Sequence, residues 1–255
     1  MRLRSVAVSL LFIFLAAGLF QNVFAVSFSP PLSSLPPGSQ RKAVVISSLD
    51  ALYAMGQYDA DITYYLSEAG YQVTTLRNRQ ITIDFLLTQL NNYNVIIWRT
   101  NTYNWKHVEY WYVGEVASSA TASKYASDFA NGWINSNAGI IGVSLGFFKY
   151  HFTAQMLSNV RLMMLIASDS LFLSSFMLNA GVGAVIFSLG PISLSFGLMD
   201  DLTTQMVAYL SLGQDVYSVV FSLVSPYVQN SNPEDPLDSS YSPPFWYQGD
   251  GALTI

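Results

Sequence analysis

A chain of 255 residues with 11 basic and 16 acidic side chains has a net charge of −5, a balance that argues against a nucleic-acid partner. It has no cysteine and two histidines, His107 and His151, which excludes a thiolate nucleophile, thiolate metal centres and iron–sulfur ligation and argues against a multi-histidine zinc site. No cofactor is expected, and since no Lys or Arg follows Arg161 while eight acids do, the distal half cannot hold phosphates through basic side chains.

The chain opens as an export signal. Arg2 and Arg4 form a basic flank, Ser5 to Phe20 is an uncharged apolar run, and Val23-Phe24-Ala25 carries small residues at the spacing a signal peptidase reads. Residues 1–25 are therefore expected to direct the chain to the exterior or the cell surface. The run is close to the roughly 20 residues a membrane helix needs, so an uncleaved anchor is the second reading of this segment and the only membrane contact expected. Residues 26–40 read as an extended linker, with four prolines and five serines between Ser27 and Gln40.

Residues 41–255 read as one α/β domain. Lys42 to Ser47 (KAVVIS) is a short apolar strand, and Tyr58 to Ala69 has helical spacing that Gly70 stops. Tyr71 to Thr75 is a second strand, Ile81 to Leu90 a helix with Asp84 in its first turn, and Asn94 to Arg99 (NVIIWR) a third strand. This βαβαβ opening predicts a parallel sheet with right-handed crossovers. Thr100 to His107 reads as a polar, aromatic loop, and Glu109 to Val113 as an extra strand or hairpin arm. Ala120 to Trp133 reads as a helix, Ile140 to Leu145 as a strand, and Thr153 to Leu157 as a short helix capped by Thr153. Arg161 to Ala167 and Ala184 to Leu189 are buried strands, separated by a helix from Leu171 to Asn179 that Gly181 closes. Asp200 to Leu212 and Asp215 to Val224 are expected helices, and from Ser225 the chain is Pro-rich and aromatic. Leu171 to Met199 is uncharged and long enough to span a bilayer, but the Gly181-Val182-Gly183 break favours helix, turn and strand within a core.

The stretch Met163 to Val220, with MMLIASDSLFLSSFMLNAGVGAVIFSLGPIS and then DDLTTQMVAYLSLGQDVYSVV, resembles the distal half of caspase-fold cysteine peptidases of the clostripain and gingipain kind, including exported archaeal relatives. The proximal half is similar as well. NVIIWR with Thr100-Asn101-Thr102 resembles the strand and segment that carry the catalytic histidine, and Tyr112-Val113-Gly114-Glu115 resembles a segment ending in Glu. Running from about Lys42 to the C-terminus, the resemblance implies a three-layer caspase-like α/β fold with a mostly parallel central sheet. It also implies where a dyad would lie. The nucleophile position falls on Ser168 and the base position on Asn101, each at the carboxyl end of a strand. An amide moves no proton near neutral pH, and a serine hydroxyl without a base is a weak nucleophile. Asn101 and Ser168 are thus degenerate dyad positions, and no catalytic residue is expected.

Arg99, Trp105, His107, Glu115 and Asp169 are the candidate binding residues. Asp169 matches an acid of the resembling segment; it is either a ligand-orienting group or a helix cap. His107, six residues past Asn101, is the base for Ser168 if that serine is a nucleophile, and an ordinary loop residue otherwise. His151, between Tyr150 and Phe152 and just before a helix start, reads as a packed side chain. Asp200 and Asp201 read as acids at a helix N-terminus rather than as a metal pair, and no metal is expected. Tyr103 to His107, with Tyr110, Trp111 and Tyr112, form a dense aromatic patch: either a face for sugars or peptides, or a hairpin packed on the sheet. The expected function is an exported, inactive pseudo-peptidase that binds a peptide, protein or glycan. The alternatives are a hydrolase using Ser168 and a membrane-embedded component.

Overall fold

The apolar runs set the architecture. The computed structural model describes residues 40–48, 57–168, 170–189, 196–229 and 244–255. The expected signal, nearly all of the linker, and Asp169 lie outside the described residues. The strands are β1 (Lys42–Ser47), β2 (Gln72–Arg77), β3 (Val95–Arg99), β4 (Thr102–Trp105), β5 (Val108–Val116), β6 (Ile134–Asn137), β7 (Ile140–Ser144), β8 (Leu162–Ile166), β9 (Ala184–Ser188) and β10 (Phe245–Gly249). The helices are α1 (Tyr58–Glu68), α2 (Ile83–Thr88), α3 (Ser119–Lys124), α4 (Ala126–Ala130), α5 (Leu145–His151), α6 (Leu171–Asn179), α7 (Phe196–Ser211) and α8 (Val216–Gln229).

Six strands form the central sheet in the order β10-β9-β8-β3-β1-β2. All neighbours are parallel except β10, which is antiparallel to β9. Its middle strands are unbroken apolar runs because helices cover both faces, so every residue along them meets a core. On one face Val44, Ile46, Trp98 and Phe187 pack with Ile83, Phe147 and Leu173 of α2, α5 and α6. On the other, Val45, Ile97 and Met164 pack with Ile62, Met206 and Val219 of α1, α7 and α8. The fold class is therefore α/β, three layers deep, around a mostly parallel sheet.

A second, antiparallel sheet in the order β4-β5-β7-β6 covers part of the first face. The strand or hairpin arm expected over Glu109 to Val113 lies within β5 and the strand expected over Ile140 to Leu145 is β7, while β4 falls in the stretch Thr100 to His107 expected as a loop and β6 just beyond the stretch Ala120 to Trp133, where no strand was expected. Lys106 and His107 form a two-residue turn with φ of +50° and +66°, closing a hairpin in which Trp105 pairs with Val108. Such turns usually announce themselves with Gly or Asn, and this one does not. Farther along β5 the register slips between Tyr112 and Val116, around Gly114 at φ +110°. A Cβ on Gly114 would sit 2.3 Å from the Asn78 carbonyl oxygen, so glycine is needed for both conformation and space.

Other boundaries shift for local reasons. The single helix expected over Ala120 to Trp133 is two short ones, α3 and α4, breaking at Tyr125, whose buried ring is tied through its hydroxyl to Asp84 at 2.6 Å. Leu145 opens α5 instead of extending β7, and the helix expected at Thr153 to Leu157 is a turn with Gln155 at φ +67°. Helix α7 begins at Phe196, so Asp200 lies inside it and not at its N-terminus. Helix α8 runs on to Gln229 with Pro226 inside it, and Phe245–Gly249 adds an edge strand. The uncharged stretch from Leu171 contains α6 and then β9, and among the described residues no helix is long and apolar enough to cross a membrane.

Candidate functional site

The carboxyl ends of parallel strands are where sites gather in such sheets. Here β3 and β8 are neighbours, with Arg99 opposite Ile166. The ladder continues one step, Thr100 N donating to Ile166 O at 2.9 Å. Asn101 and Ser168 each stand two residues beyond a paired position, just past the carboxyl ends of neighbouring strands. Ser168 is half-buried, as is Asn101.

Asn101 roots the hairpin. Its Oδ1 accepts from Thr102 N at 2.8 Å, and its carbonyl accepts from Tyr112 N at 3.1 Å. Thr100 Oγ1 donates to Tyr112 O at 2.7 Å beside it. The loop at Ser168 is rooted by two serines the sequence reading did not single out. Ser170 Oγ donates to Ala167 O at 2.8 Å. Ser188 Oγ accepts from Ala167 N at 3.1 Å and donates to Ala167 O. The Ser188 contacts depend on β8 and β9 being neighbours, and no local sequence signal marks them.

The candidate binding residues part company. Arg99 is buried, and its guanidinium makes a two-bonded pair with Asp200, Nε to Oδ1 at 2.7 Å and Nη2 to Oδ2 at 3.0 Å. Burial pushes the Asp200 carboxyl above its usual range, against the pull of Arg99. The Tyr58 ring lies 5.9 Å from the Arg99 guanidinium, and burial, then the Asp200 charge, holds its hydroxyl well above the usual tyrosine range. Glu115 is aimed by the Gly114 bulge. Its Oε2 accepts from Ile83 N at 2.8 Å at the start of α2, and its Oε1 from Thr121 Oγ1 at 3.0 Å. Arg99 and Glu115 are thus engaged inside the fold.

Trp105 and His107 stand exposed at the hairpin tip. Five residue steps of about 3.4 Å put that tip roughly 17 Å along the hairpin from Asn101, so His107 stands well away from the end of β3. His151 closes α5, a correction to its placement before a helix start, and its Nε2 meets Asp128 Oδ1 at 2.7 Å among Trp133, Phe147 and Tyr150. Among the described residues no group of His, Asp and Glu is arranged to hold a metal ion. An open groove lined by Asp59, Thr63, Tyr64, Thr75, Arg77 and Gln80 lies at the β2 edge, two strands from β3.

Together, fold and edge define an α/β protein in which an amide, Asn101, follows the end of β3 and a hydroxyl, Ser168, follows the end of its neighbour β8. Among solved structures the chain is similar to the crystal structure of caspase-1 from Spodoptera frugiperda, at 10% identity over 82% of this chain and 86% of that one, with a TM-score of 0.45. No family model matches the chain, and no curated protein matches it.

Proposed function

We propose that the chain is an exported, non-catalytic binding protein on a cysteine-peptidase scaffold, a pseudo-peptidase of the clostripain and gingipain kind that acts outside the cell or on its surface. The observation that carries this reading is the pairing of β3 with β8, whose ends lead into Asn101 and Ser168, the two dyad positions of the resemblance, in a chain without cysteine. The resembling chemistry needs a thiolate and an imidazole at those positions. Asn101 offers neither proton transfer nor positive charge, and its Oδ1 is bonded to the chain's own Thr102 N. The hydrolase alternative lacks support from either histidine, since His107 is a hairpin's length away and His151 meets Asp128. Export rests on the basic flank, apolar run and Val23-Phe24-Ala25 of the N-terminus.

The test is incubation of the full chain with a serine-reactive fluorophosphonate. The expected result is no labelling above that of Ser168→Ala. Stoichiometric labelling that disappears in Ser168→Ala replaces the binding protein with a hydrolase.

A further inference from the structure

Alternate residues of an antiparallel sheet share a face. The register pairs Tyr103 with Tyr110, Trp105 with Val108, and Tyr112 with Gly142, which pairs in turn with Asn135. Tyr103, Trp105, Tyr110, Tyr112, Asn135 and Asn137 therefore lie on one face of the small sheet. The opposite face, with Trp111, Ile134, Ile141 and Val143, belongs to the core. Trp105 is 54% exposed, Asn137 is exposed, and Tyr103, Tyr112 and Asn135 are half-buried.

The rings are fixed rather than loose. Tyr103 stacks on Tyr110 at 5.3 Å and meets Tyr112 at 4.7 Å between centroids. Its ring reaches across β5 to Gly142, where a Cβ would lie 2.6 Å from the ring, so glycine lets it lie down. Tyr110 is anchored through its hydroxyl to Gly132 O at 2.8 Å. Asn137 Nδ2 donates to Tyr112 Oη at 2.6 Å, and Asn135 Oδ1 accepts from Ser136 N at 2.7 Å. The other end of each amide has no partner among the described residues.

From this platform we infer a binding site for a short, neutral oligosaccharide. The strand positions of this face carry no charged side chain, which disfavours multiply charged nucleotides and peptides; the one cation beside it, Lys106 in the turn, has its Nζ 5.9 Å from the Trp105 ring centroid. The area disfavours a protein. Four strands at about 4.8 Å spacing and a length of about 15 Å give roughly 200 Å², far below the roughly 800 Å² per partner of a stable protein interface. A pyranose fits both limits. Its C–H face stacks on an aromatic ring, and its rim of hydroxyls bonds to amides and phenols. About three sugar rings cover the length of the platform.

Ser168 takes no part in this site, so it stands or falls apart from the pseudo-peptidase reading. The test is saturation-transfer NMR and calorimetry on the full chain with cellotetraose, N-acetylchitotetraose and mannotetraose at millimolar concentration. Saturable binding of at least one probe is expected, weakened about tenfold by Trp105→Ala and by Tyr112→Ala, since losing one stacked ring costs on the order of 1 kcal/mol. Phe221→Ala, which removes an exposed ring on α8, should leave binding unchanged. Exposed Trp105 can be removed without opening the core, so its variant keeps the test interpretable if Tyr112→Ala misfolds. Failure of all three probes to bind, binding that both variants leave intact, or a protein partner on this face with no sugar bound would each overturn the inference.

Discussion

The double replacement Ser168→Cys with Asn101→His rebuilds a thiol beside an imidazole if the two positions are neighbours. The paired Arg99 and Ile166 and the bond from Thr100 N to Ile166 O carry the parallel register to within one residue of Asn101. Where strand spacing holds for these next residues, the two backbones lie about 5 Å apart, within reach of a thiol–imidazole hydrogen bond. A free thiol with a pKa of about 8.5 is roughly 3% thiolate at pH 7, and an adjacent imidazolium that lowers it to about 7 raises that to about half, a roughly fifteenfold gain. The lower-pKa thiolate is the weaker nucleophile by about fivefold, leaving alkylation faster by about threefold at pH 7 and about sixfold at pH 6. Iodoacetamide labelling reads this directly because the chain has no cysteine of its own. Its midpoint should fall from about 8.5 in the single variant to about 7 in the double one. Asn101→His also gives up the bond to Thr102 N, so Ser168→Cys with Asn101→Ala controls for a loosened hairpin. Identical titration of the Cys and Cys/His variants would refute the placement of the two positions and with it the pseudo-peptidase reading.

Asp200→Asn leaves the Arg99 guanidinium, with 3% of its side chain exposed, without its carboxylate, and should cost about 3 kcal/mol in urea unfolding. Arg99→Met with Asp200→Leu should recover most of that loss, since replacing both partners removes the buried charge as well as the bond. Asp84 is held below the usual carboxylate range first by its hydrogen bond from Lys124, then by that from Tyr125. A depressed carboxyl contributes stability above its unfolded value of about 4 and loses it as pH falls through the lower folded value. Tyr125→Phe should therefore cost stability near neutral pH, by less than about 1 kcal/mol because Asp84 is largely exposed, and the difference should fade in denaturant titrations below about pH 4.

The parallel half of the fold was legible because its strands are contiguous apolar runs and its first two crossovers are short and helical. KAVVIS and NVIIWR need no partner to be recognised, since a strand buried on both faces has no polar side. In the small sheet, β5 and β7 were legible, but the pairing of β4 with β5 was hidden by turn chemistry: Lys106-His107 adopts the backbone of an Asn-Gly turn without its residues. Helix boundaries around Tyr125 moved because a contact 41 residues away in sequence, Tyr125 to Asp84, outweighs helical propensity. At the candidate site, the location of Asn101 and Ser168 just past strand ends was legible from the apolar runs that precede them. The engagement of Arg99 was not, because its partner Asp200 lies 101 positions away.

The carboxyl edge of the central sheet is rich in hydroxyls and amides, and several of them bond back into the fold. Ser48 Oγ accepts from Trp98 Nε1 at 3.0 Å, Thr100 and Asn101 hold the hairpin, and Ser170 and Ser188 hold the turn after β8. A working nucleophile and base must meet substrate and exchange protons, so their polar groups cannot all be bonded to the chain that carries them. Groups bonded in this way instead satisfy buried backbone and fix loops in one conformation. Activity commonly demands strained or exposed polar groups that reduce stability, and a chain released from that demand can commit the same positions to holding its loops. On the proposed pseudo-peptidase reading, the edge position that would have moved a proton instead fixes the hairpin, and the hairpin carries the aromatic face on which binding is proposed. The link is mechanical: Asn101 O accepts from Tyr112 N, so Asn101 helps set the register of the strand that carries Tyr110 and Tyr112.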